Sequence, residues 1–206
     1  MLLAMLSIFT GCARPSRERV FWDWFQKNEA MLFHFEKDQE RVFDLLTVQL
    51  RKVDPKLTFE FSSIENDRRE FTISADGIRA AFPKVEALYA AAPTLPRWKI
   101  NKFRQRHEPG DISFRGLIVK QSSVLILLSP NGSKADITLF MPEYSETNRD
   151  ANLSIAFLLL DQALGEYDVE TSVGGVAVKS ASEAPPAAFP FRELPREFDS
   201  LFLRKN

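Results

Sequence analysis

The stretch VLILLSPNGSKADITLF, residues 124–140, decides the fold class together with the apolar residues 153–164 that follow it. A continuous apolar run at 124–128 and alternating apolar and polar residues at 135–140 predict two strands. The sequence Pro-Asn-Gly-Ser between them predicts a tight turn. Residues 153–164 are far fewer than the roughly 20 needed to span a membrane, so they predict a buried helix. The stretch therefore predicts a hairpin followed by a helix.

The same order of elements is predicted earlier in the chain. Alternation at 57–61 and 71–74 predicts another hairpin, and residues 82–92 predict a helix that Pro93 ends. Apolar residues at helical spacing predict a further helix over 36–53. Hairpins separated by helices are typical of an antiparallel sheet covered on one face by helices. We therefore predict an α+β fold with a mainly antiparallel sheet, and two hairpin-plus-helix units as a hypothesis.

The remaining segments complete the predicted domain. Residues 98–107 and 112–119 are each predicted to be one strand, and 173–178 are predicted to be the last strand. A short helix that begins at Pro195 closes the chain. We place a single α+β domain at residues 18–206, after a separate segment at 1–17.

The composition excludes several classes of protein. Among 206 residues, 27 Lys and Arg balance 28 Asp and Glu, whereas general nucleic-acid binders usually carry a clear basic excess. One cysteine cannot form an intrachain disulfide or a cysteine-based zinc cluster. His34 and His107 are too few for a histidine-rich metal centre, and the sequence has no phosphate-binding glycine motif. We therefore predict no cofactor and no metal site, and we do not expect nucleic acid as a partner.

The N-terminus has features of a lipoprotein signal. The apolar run MLLAMLSIFT is long enough for the apolar region of a secretory signal. The four residues that end at Cys12, FTGC, resemble a bacterial lipobox, in which the cysteine is lipidated. Cys12 is also the only cysteine in the chain. The sequence thus predicts lipidation at Cys12, and a lipid anchor there is the only membrane contact that we expect.

Other features favour a frayed apolar N-terminus on a cytoplasmic protein. Leu is usual where Phe9 stands, and no Lys or Arg precedes the apolar run. Arg14, Arg17 and Arg19 follow the cysteine closely, and basic residues there oppose export. The bacterial envelope and the cytoplasm therefore stand as equal alternatives for the location.

Three carboxylates are the candidates for catalysis: Asp76, Asp168 and Glu170. If residues 166–170 are extended, Glu166, Asp168 and Glu170 share one face, where they could bind a cation or raise the pKa of one carboxyl group. The alternative is a solvated strand edge whose charges deter edge-to-edge pairing, and we favour it because nothing else completes a site. Asp76 and Gly77 together are also typical of a turn, which we favour there.

Positive charge is concentrated at residues 97–107, where Trp98 and Phe103 are interleaved with basic residues. On an alternating strand, Lys102, Arg104 and Arg106 share one face and could bind an anion. The alternative is a solvated sheet face whose cations pair with nearby acidic residues. The balanced charge of the chain favours this alternative.

Several segments together resemble a family of uncharacterised bacterial proteins, a domain of unknown function with a Trp-rich N-terminal helix. The segments are FWDWF (21–25), NE (28–29), FEKDQE (35–40), FTISADG (71–77) and ALGEYD (163–168). The resemblance covers about residues 20–200 and implies a bacterial source. A lipobox is a signal for lipidation in bacteria, so such a source is consistent with lipidation at Cys12. It implies no activity and no site residue. Family members begin close to the Trp-rich segment, so residues 1–17 are an addition to the shared domain.

The sequence contains no complete catalytic motif, such as a serine nucleophile elbow, a metalloprotease helix or a calcium loop. We therefore predict a non-catalytic binding or interaction domain for an unidentified protein or small ligand, and a bacterial lipoprotein if Cys12 is lipidated. The alternative is a hydrolase that uses Asp76, Asp168 and Glu170, with or without a divalent cation. Convergence of these carboxylates in one concave pocket favours the hydrolase, and their dispersal around the surface argues against it.

Overall fold

The computed structural model describes residues 14–142 and 144–203, and its first half consists of helices followed by a three-stranded sheet. The first helix starts inside the segment that we had set apart as residues 1–17, because the Ser16 hydroxyl accepts a hydrogen bond from the Arg19 N–H at 3.2 Å and caps it. Cys12 lies outside the described residues. The elements are α1 (Arg17–Lys27), α2 (Glu29–Phe33), α3 (Gln39–Val53), β1 (Thr58–Phe61), β2 (Arg69–Ser74), α4 (Phe82–Ala90) and β3 (Trp98–Lys102).

The middle strand of this sheet is β2. It pairs antiparallel with β1 and parallel with β3, and α4 connects the two parallel strands. The ring of Phe25 on α1 lies 5.0 Å from the rings of Phe71 and Trp98 on the sheet. The Trp22 indole N–H donates to the Leu88 carbonyl at 2.8 Å, which fixes α1 against α4. Burial of these aromatic rings forms the first hydrophobic core.

The second half contains a short hairpin, a four-stranded sheet and three helices. The four-stranded sheet has the order β8-β7-β6-β9, and β7 pairs antiparallel with β6 and parallel with β8. The elements are β4 (Ile112–Phe114), β5 (Leu117–Val119), β6 (Leu125–Asn131), β7 (Lys134–Met141), α5 (Arg149–Leu164), α6 (Glu166–Ser172), β8 (Val173–Ser180), β9 (Phe189–Pro190) and α7 (Leu194–Leu203).

The predicted α+β class is confirmed. Helices account for 48% of the structure and strands for 26%, and four of the six strand pairings are antiparallel. Both hairpin-plus-helix units are present, and each is completed by a strand parallel to the second strand of its hairpin. Each unit has its own hydrophobic core, one within residues 21–103 and the other within 112–198. The predicted domain at 18–206 thus contains two separate hydrophobic cores.

Two predictions of extended structure were wrong, and the extended conformation considered for residues 166–170 does not occur. The strand predicted at 98–107 ends at Lys102, because Phe103 adopts a positive φ of 61° that directs the chain out of the sheet. The strand predicted at 112–119 is a hairpin, in which Arg115 and Gly116 both have positive φ and form the turn. Residues 166–170 belong to helix α6 and are not extended, so their carboxylates do not share the face of a strand.

Candidate functional site

The junction between the two units is built around the carboxylate of Glu166. This side chain is fully buried, although we had favoured a solvated position for it. Its Oε1 atom accepts hydrogen bonds from the backbone N–H groups of Ala75 at 3.0 Å and Gly77 at 3.2 Å. Its Oε2 atom accepts from the Arg104 N–H at 3.1 Å, and the Glu166 N–H donates to the Arg104 carbonyl at 3.1 Å. One acidic residue of the second unit therefore holds the turn at 75–77 of the first unit and the backbone of Arg104, which directly follows the residues of the first core.

Local backbone conformation makes these contacts possible. Gly165 ends α5 with a φ of 77°, and a Cβ atom at this position would lie 3.0 Å from the Arg104 carbonyl oxygen. Asp76 and Gly77 both have positive φ and form the turn that we had predicted. This turn presents the N–H groups of Ala75 and Gly77 to Glu166. A glycine at 165 is needed both for its φ and for the close approach of the two backbones.

A cleft of about 640 Å³ opens beside Glu166, and we call it the acidic cleft. Four carboxylates and one guanidinium group line it, on elements of both units. Exposed apolar side chains line it as well, and Phe157 and Leu158 on α5 are each 42% exposed although that helix was predicted to be buried. The charged lining residues are Glu60, Asp76, Arg104, Asp161 and Glu170, and the apolar ones are Ile78, Phe114, Phe157 and Leu158.

Arg104 is the cation of the acidic cleft. Its guanidinium group donates to Glu60 and, at 2.8 Å, to Asp76, and it lies 3.8 Å from a carboxylate oxygen of Asp161. Burial alone would lower the pKa of Arg104, but the hydrogen bonds to Asp76 and Glu60 raise it above its ordinary value. Arg104 therefore stays charged, and it is shared among three carboxylates.

Of the three carboxylates that Arg104 contacts, Asp161 is the most distant and the least compensated. Its side chain is 27% exposed, and burial together with the nearby Glu166, Glu170 and Asp76 raises its pKa to about 6, although Arg104 opposes the shift. Burial and Glu166 likewise raise the pKa of Glu170, against the effects of Lys134 and Arg79. The cleft thus holds more negative charge than its arginine balances.

No set of three or more His, Cys, Asp or Glu side chains within residues 14–142 and 144–203 is arranged to hold a metal ion. His107, which also lines the cleft, makes a contact of 3.0 Å through Nδ1 with the Glu108 carbonyl. The carboxyl groups of the cleft can pair with charges and exchange protons.

A second cleft, of about 690 Å³, lies on the other side of residues 104–106, and we call it the tyrosine cleft. Tyr89 and Tyr167 line it and are 40% and 47% exposed. The predicted anion-binding residues Lys102, Arg104 and Arg106 all contribute to its walls. Because the strand ends at Lys102, these three do not share one strand face.

The three cations of the tyrosine cleft already have acidic partners. Lys102 lies 3.5 Å from Glu86, and Arg104 pairs with the carboxylates of the acidic cleft. Arg106 pairs with Asp168 and, at 2.9 Å, with Asp199, and its Nε–H donates to the Leu164 carbonyl at 2.8 Å. Pairing with nearby acidic residues was one part of the alternative that we gave to anion binding, and anion binding by these three residues stays a prediction.

The predicted catalytic carboxylates divide between the two clefts. Asp76 and Glu170 line the acidic cleft, whereas Asp168 lies in the tyrosine cleft against Arg106. Sequence reasoning missed Asp161 and Glu60. Asp161 carried a signal, since it is the only charged residue in the apolar stretch 153–164. Glu60 carried none, because it occupies an ordinary polar position of an alternating strand.

Comparisons with known proteins do not extend this description. No family model matches the chain, and neither a curated protein nor a solved structure is significantly similar to it. The resemblance to a family of uncharacterised bacterial proteins therefore stays a prediction. In the part of the chain that the structure describes, every helix is too short or too polar to cross a membrane.

Proposed function

We propose that this protein is a non-catalytic binding module whose acidic cleft takes an organic cation with an apolar body. The observation that carries the proposal is the set of four carboxylates around a single guanidinium group in a cleft with exposed apolar side chains. An ammonium, amidinium or guanidinium group would neutralise the excess negative charge. The apolar body would cover Phe157 and Leu158, which are otherwise exposed to water.

The position of Asp161 supports this choice of ligand. A carboxylate that is mostly removed from water gains more from a bound cation than an exposed one does, because the effective dielectric constant around it is lower. The surrounding acidic groups also raise the local concentration of cations in a cleft with low-dielectric walls. The charged and titratable groups that line the cleft with Asp161 or shift its pKa are Glu60, Asp76, Arg104, His107, Glu166 and Glu170.

The test compares three probes of one shape and different charge: benzamidinium, benzamide and benzoate. Titration by calorimetry or by NMR should detect binding of benzamidinium and much weaker or no binding of the neutral and anionic probes. Since binding favours the ionised form of Asp161, affinity should fall as the pH is lowered through about 6. Equal affinity for all three probes would contradict the proposal.

A pair of matched variants locates the binding. Asp161→Asn removes the central carboxylate with almost no change in shape and should weaken benzamidinium binding by about tenfold or more. Asp44→Asn is the control, because Asp44 is exposed on α3, away from the cleft lining. An equal effect of the two substitutions would show that the cation binds elsewhere.

The second candidate function is acid–base hydrolysis in the same cleft. It is favoured by the presence of Asp76, Glu170 and Asp161 in one concave site, since a carboxyl group that titrates near neutral pH suits a general acid. Asp168 has no part in this candidate, because it lies in the other cleft. Assays with nitrophenyl esters, phosphates and glycosides test this candidate. If the protein turns over one of these substrates, and if Asp161→Asn abolishes the turnover while Asp44→Asn preserves it, the protein is a hydrolase and not a binding module.

A further inference from the structure

Strand β8 (Val173–Ser180) leaves one edge of the four-stranded sheet open. It pairs with β7 on one side, and it is the terminal strand of the sheet order. Among the described residues, none outside β7 forms a backbone hydrogen bond with residues 174–179. The opposite edge is different, because β9 has only two residues and one of them is Pro190. An open edge of this length is a template for another strand.

The side chains of this edge do little to block pairing. Gly174, Gly175 and Ala177 are exposed and small, and Lys179 is the only charged residue of the strand. The register with β7 shifts at the two glycines, so the regular part of the strand runs from Val176 to Ser180. Edge strands that avoid association usually carry several charges, a proline or an interrupting bulge in the middle.

We propose that β8 pairs antiparallel with β8 of a second copy of this chain, about a twofold axis at Ala177. In this register Val176 faces Val178 of the copy on one face of the sheet, and Ala177 faces its own equivalent. Both valines pack partly against the second hydrophobic core, so the pairing would extend that core across the axis. The two four-stranded sheets would join into one continuous sheet.

The charges on the opposite face complement each other in the same register. Lys179 stands opposite Gly175 of the copy, and the Cβ position of Gly175 is 3.4 Å from an oxygen of Asp136 on the neighbouring β7. Gly175 has no side chain to stop Lys179 from crossing to this carboxylate, since adjacent strands are only about 4.8 Å apart. Because of the twofold symmetry, the dimer would contain this ion pair twice.

Neither Lys179 nor Asp136 forms an ion pair shorter than 4.0 Å among the described residues. Asp136 accepts hydrogen bonds from the Asn131 amide at 3.0 and 3.1 Å, and no cation among the described residues forms an ion pair with it. Lys179 has one acidic neighbour, Glu183, at 4.0 Å. In this register Lys179 of one copy can reach Asp136 of the other past Gly175, which has no side chain. This complementarity is the reason to choose a second copy, and not an unrelated strand, as the partner.

The test measures the mass of the full chain by sedimentation over a wide range of protein concentration. The expected result is a reversible dimer of twice the chain mass of 23.5 kDa. Ala177→Lys places two like charges at the axis and should raise the dissociation constant by about tenfold or more. Ala87→Lys, at an exposed position of α4, is the control and should leave the dimer unchanged.

A charge swap tests the register. Lys179→Asp and Asp136→Lys should each weaken the dimer, and the double variant should restore it, with circular dichroism as the check that every variant is folded. Hydrogen exchange at residues 174–180 should slow as the dimer forms. A chain that stays monomeric at every concentration, or a dimer that Ala177→Lys leaves intact, overturns the pairing. A double variant no stronger than the single ones overturns the Lys179–Asp136 contact.

Discussion

The Oε1 atom of Glu166 accepts a hydrogen bond from the backbone N–H of Ala75 at 3.0 Å, across a separation of 91 residues. The contact joins the first turn of α6 to the end of β2, and so the second unit to the first. Because the carboxylate is buried, its hydrogen bonds replace the water that it loses. The acidic cleft lies next to this contact, because Gly77 and Arg104 both donate to Glu166 and both line the cleft.

Replacement of Glu166 should therefore destabilise the protein. In Glu166→Gln the amide oxygen can still accept from Ala75 and Gly77, but the amide nitrogen then faces the Arg104 N–H, which is also a donor. We expect the free energy of unfolding in urea to fall by about 1–3 kcal/mol. Glu108→Gln, at an exposed position, is the control. Equal stability of the two variants would mean that the Glu166 contacts contribute nothing.

Asp161 should make the protein less stable as the pH rises. An ordinary salt-bridged carboxylate, whose pKa is lowered, has the opposite effect. Its pKa of about 6 in the folded protein exceeds the ordinary value of 3.8, so the folded state binds more protons between these values. Stability should fall as the pH rises through this range, and ionised Asp161 should cost about 3 kcal/mol above it.

The variant Asp161→Asn should then be more stable than the wild type at about pH 7.5 and equally stable at about pH 4. Urea denaturation at the two pH values measures the difference, and Asp44→Asn should show none. A gain in stability that is the same at both pH values would have a cause other than the ionisation of Asp161.

Gly165 should tolerate no side chain. In Gly165→Ala the new Cβ would lie 3.0 Å from the Arg104 carbonyl oxygen, and the positive φ is unfavourable for alanine. We expect a loss of about 2 kcal/mol or more in the free energy of unfolding. Gly132→Ala is the matched control, because Gly132 also has a positive φ but nothing lies within 4 Å of its Cβ position. If both variants lose the same amount, the close approach at Gly165 is of no consequence.

The fold was predictable from local patterns, and the errors have physical causes. The helix α3 and the strand β7 follow from the spacing of apolar residues, which local sequence carries. Strand β3 ends early because Phe103 has a positive φ. Phe103 is not a glycine, and the sequence around it gives no sign of this backbone conformation. Glu166 lies in helix α6 and is buried, whereas the edge of a strand would have exposed it. Its burial depends on hydrogen bonds to residues that are distant in the sequence.

The candidate site was less predictable, because it lies between two units that are distant in the sequence. Asp76 and Glu170 could be named as acidic residues, but their meeting in one cleft depends on the junction at Glu166. Asp161 lies in a stretch with the pattern of a buried helix, and it is the only charged residue there. A single charged residue in such a helix usually has a partner or a function.

The membrane tether at Cys12 is a proposal of the sequence alone and needs its own test. If Cys12 is lipidated, the full-length protein expressed in bacteria should enter the membrane fraction, and its intact mass should include the added lipid. Cys12→Ala should be soluble and unmodified. A soluble, unmodified protein in both cases would remove the lipoprotein hypothesis.

The most direct measurement is an NMR titration of the Asp161 carboxyl carbon, with and without saturating benzamidinium. For the free protein the pKa should be about 6, because the acidic cleft holds more negative charge than Arg104 balances. The bound cation should lower it towards the ordinary value of 3.8, since ligand affinity and proton affinity are linked. A pKa near 3.8 in the free protein, or a raised pKa that benzamidinium leaves unchanged, would contradict the proposed cation site.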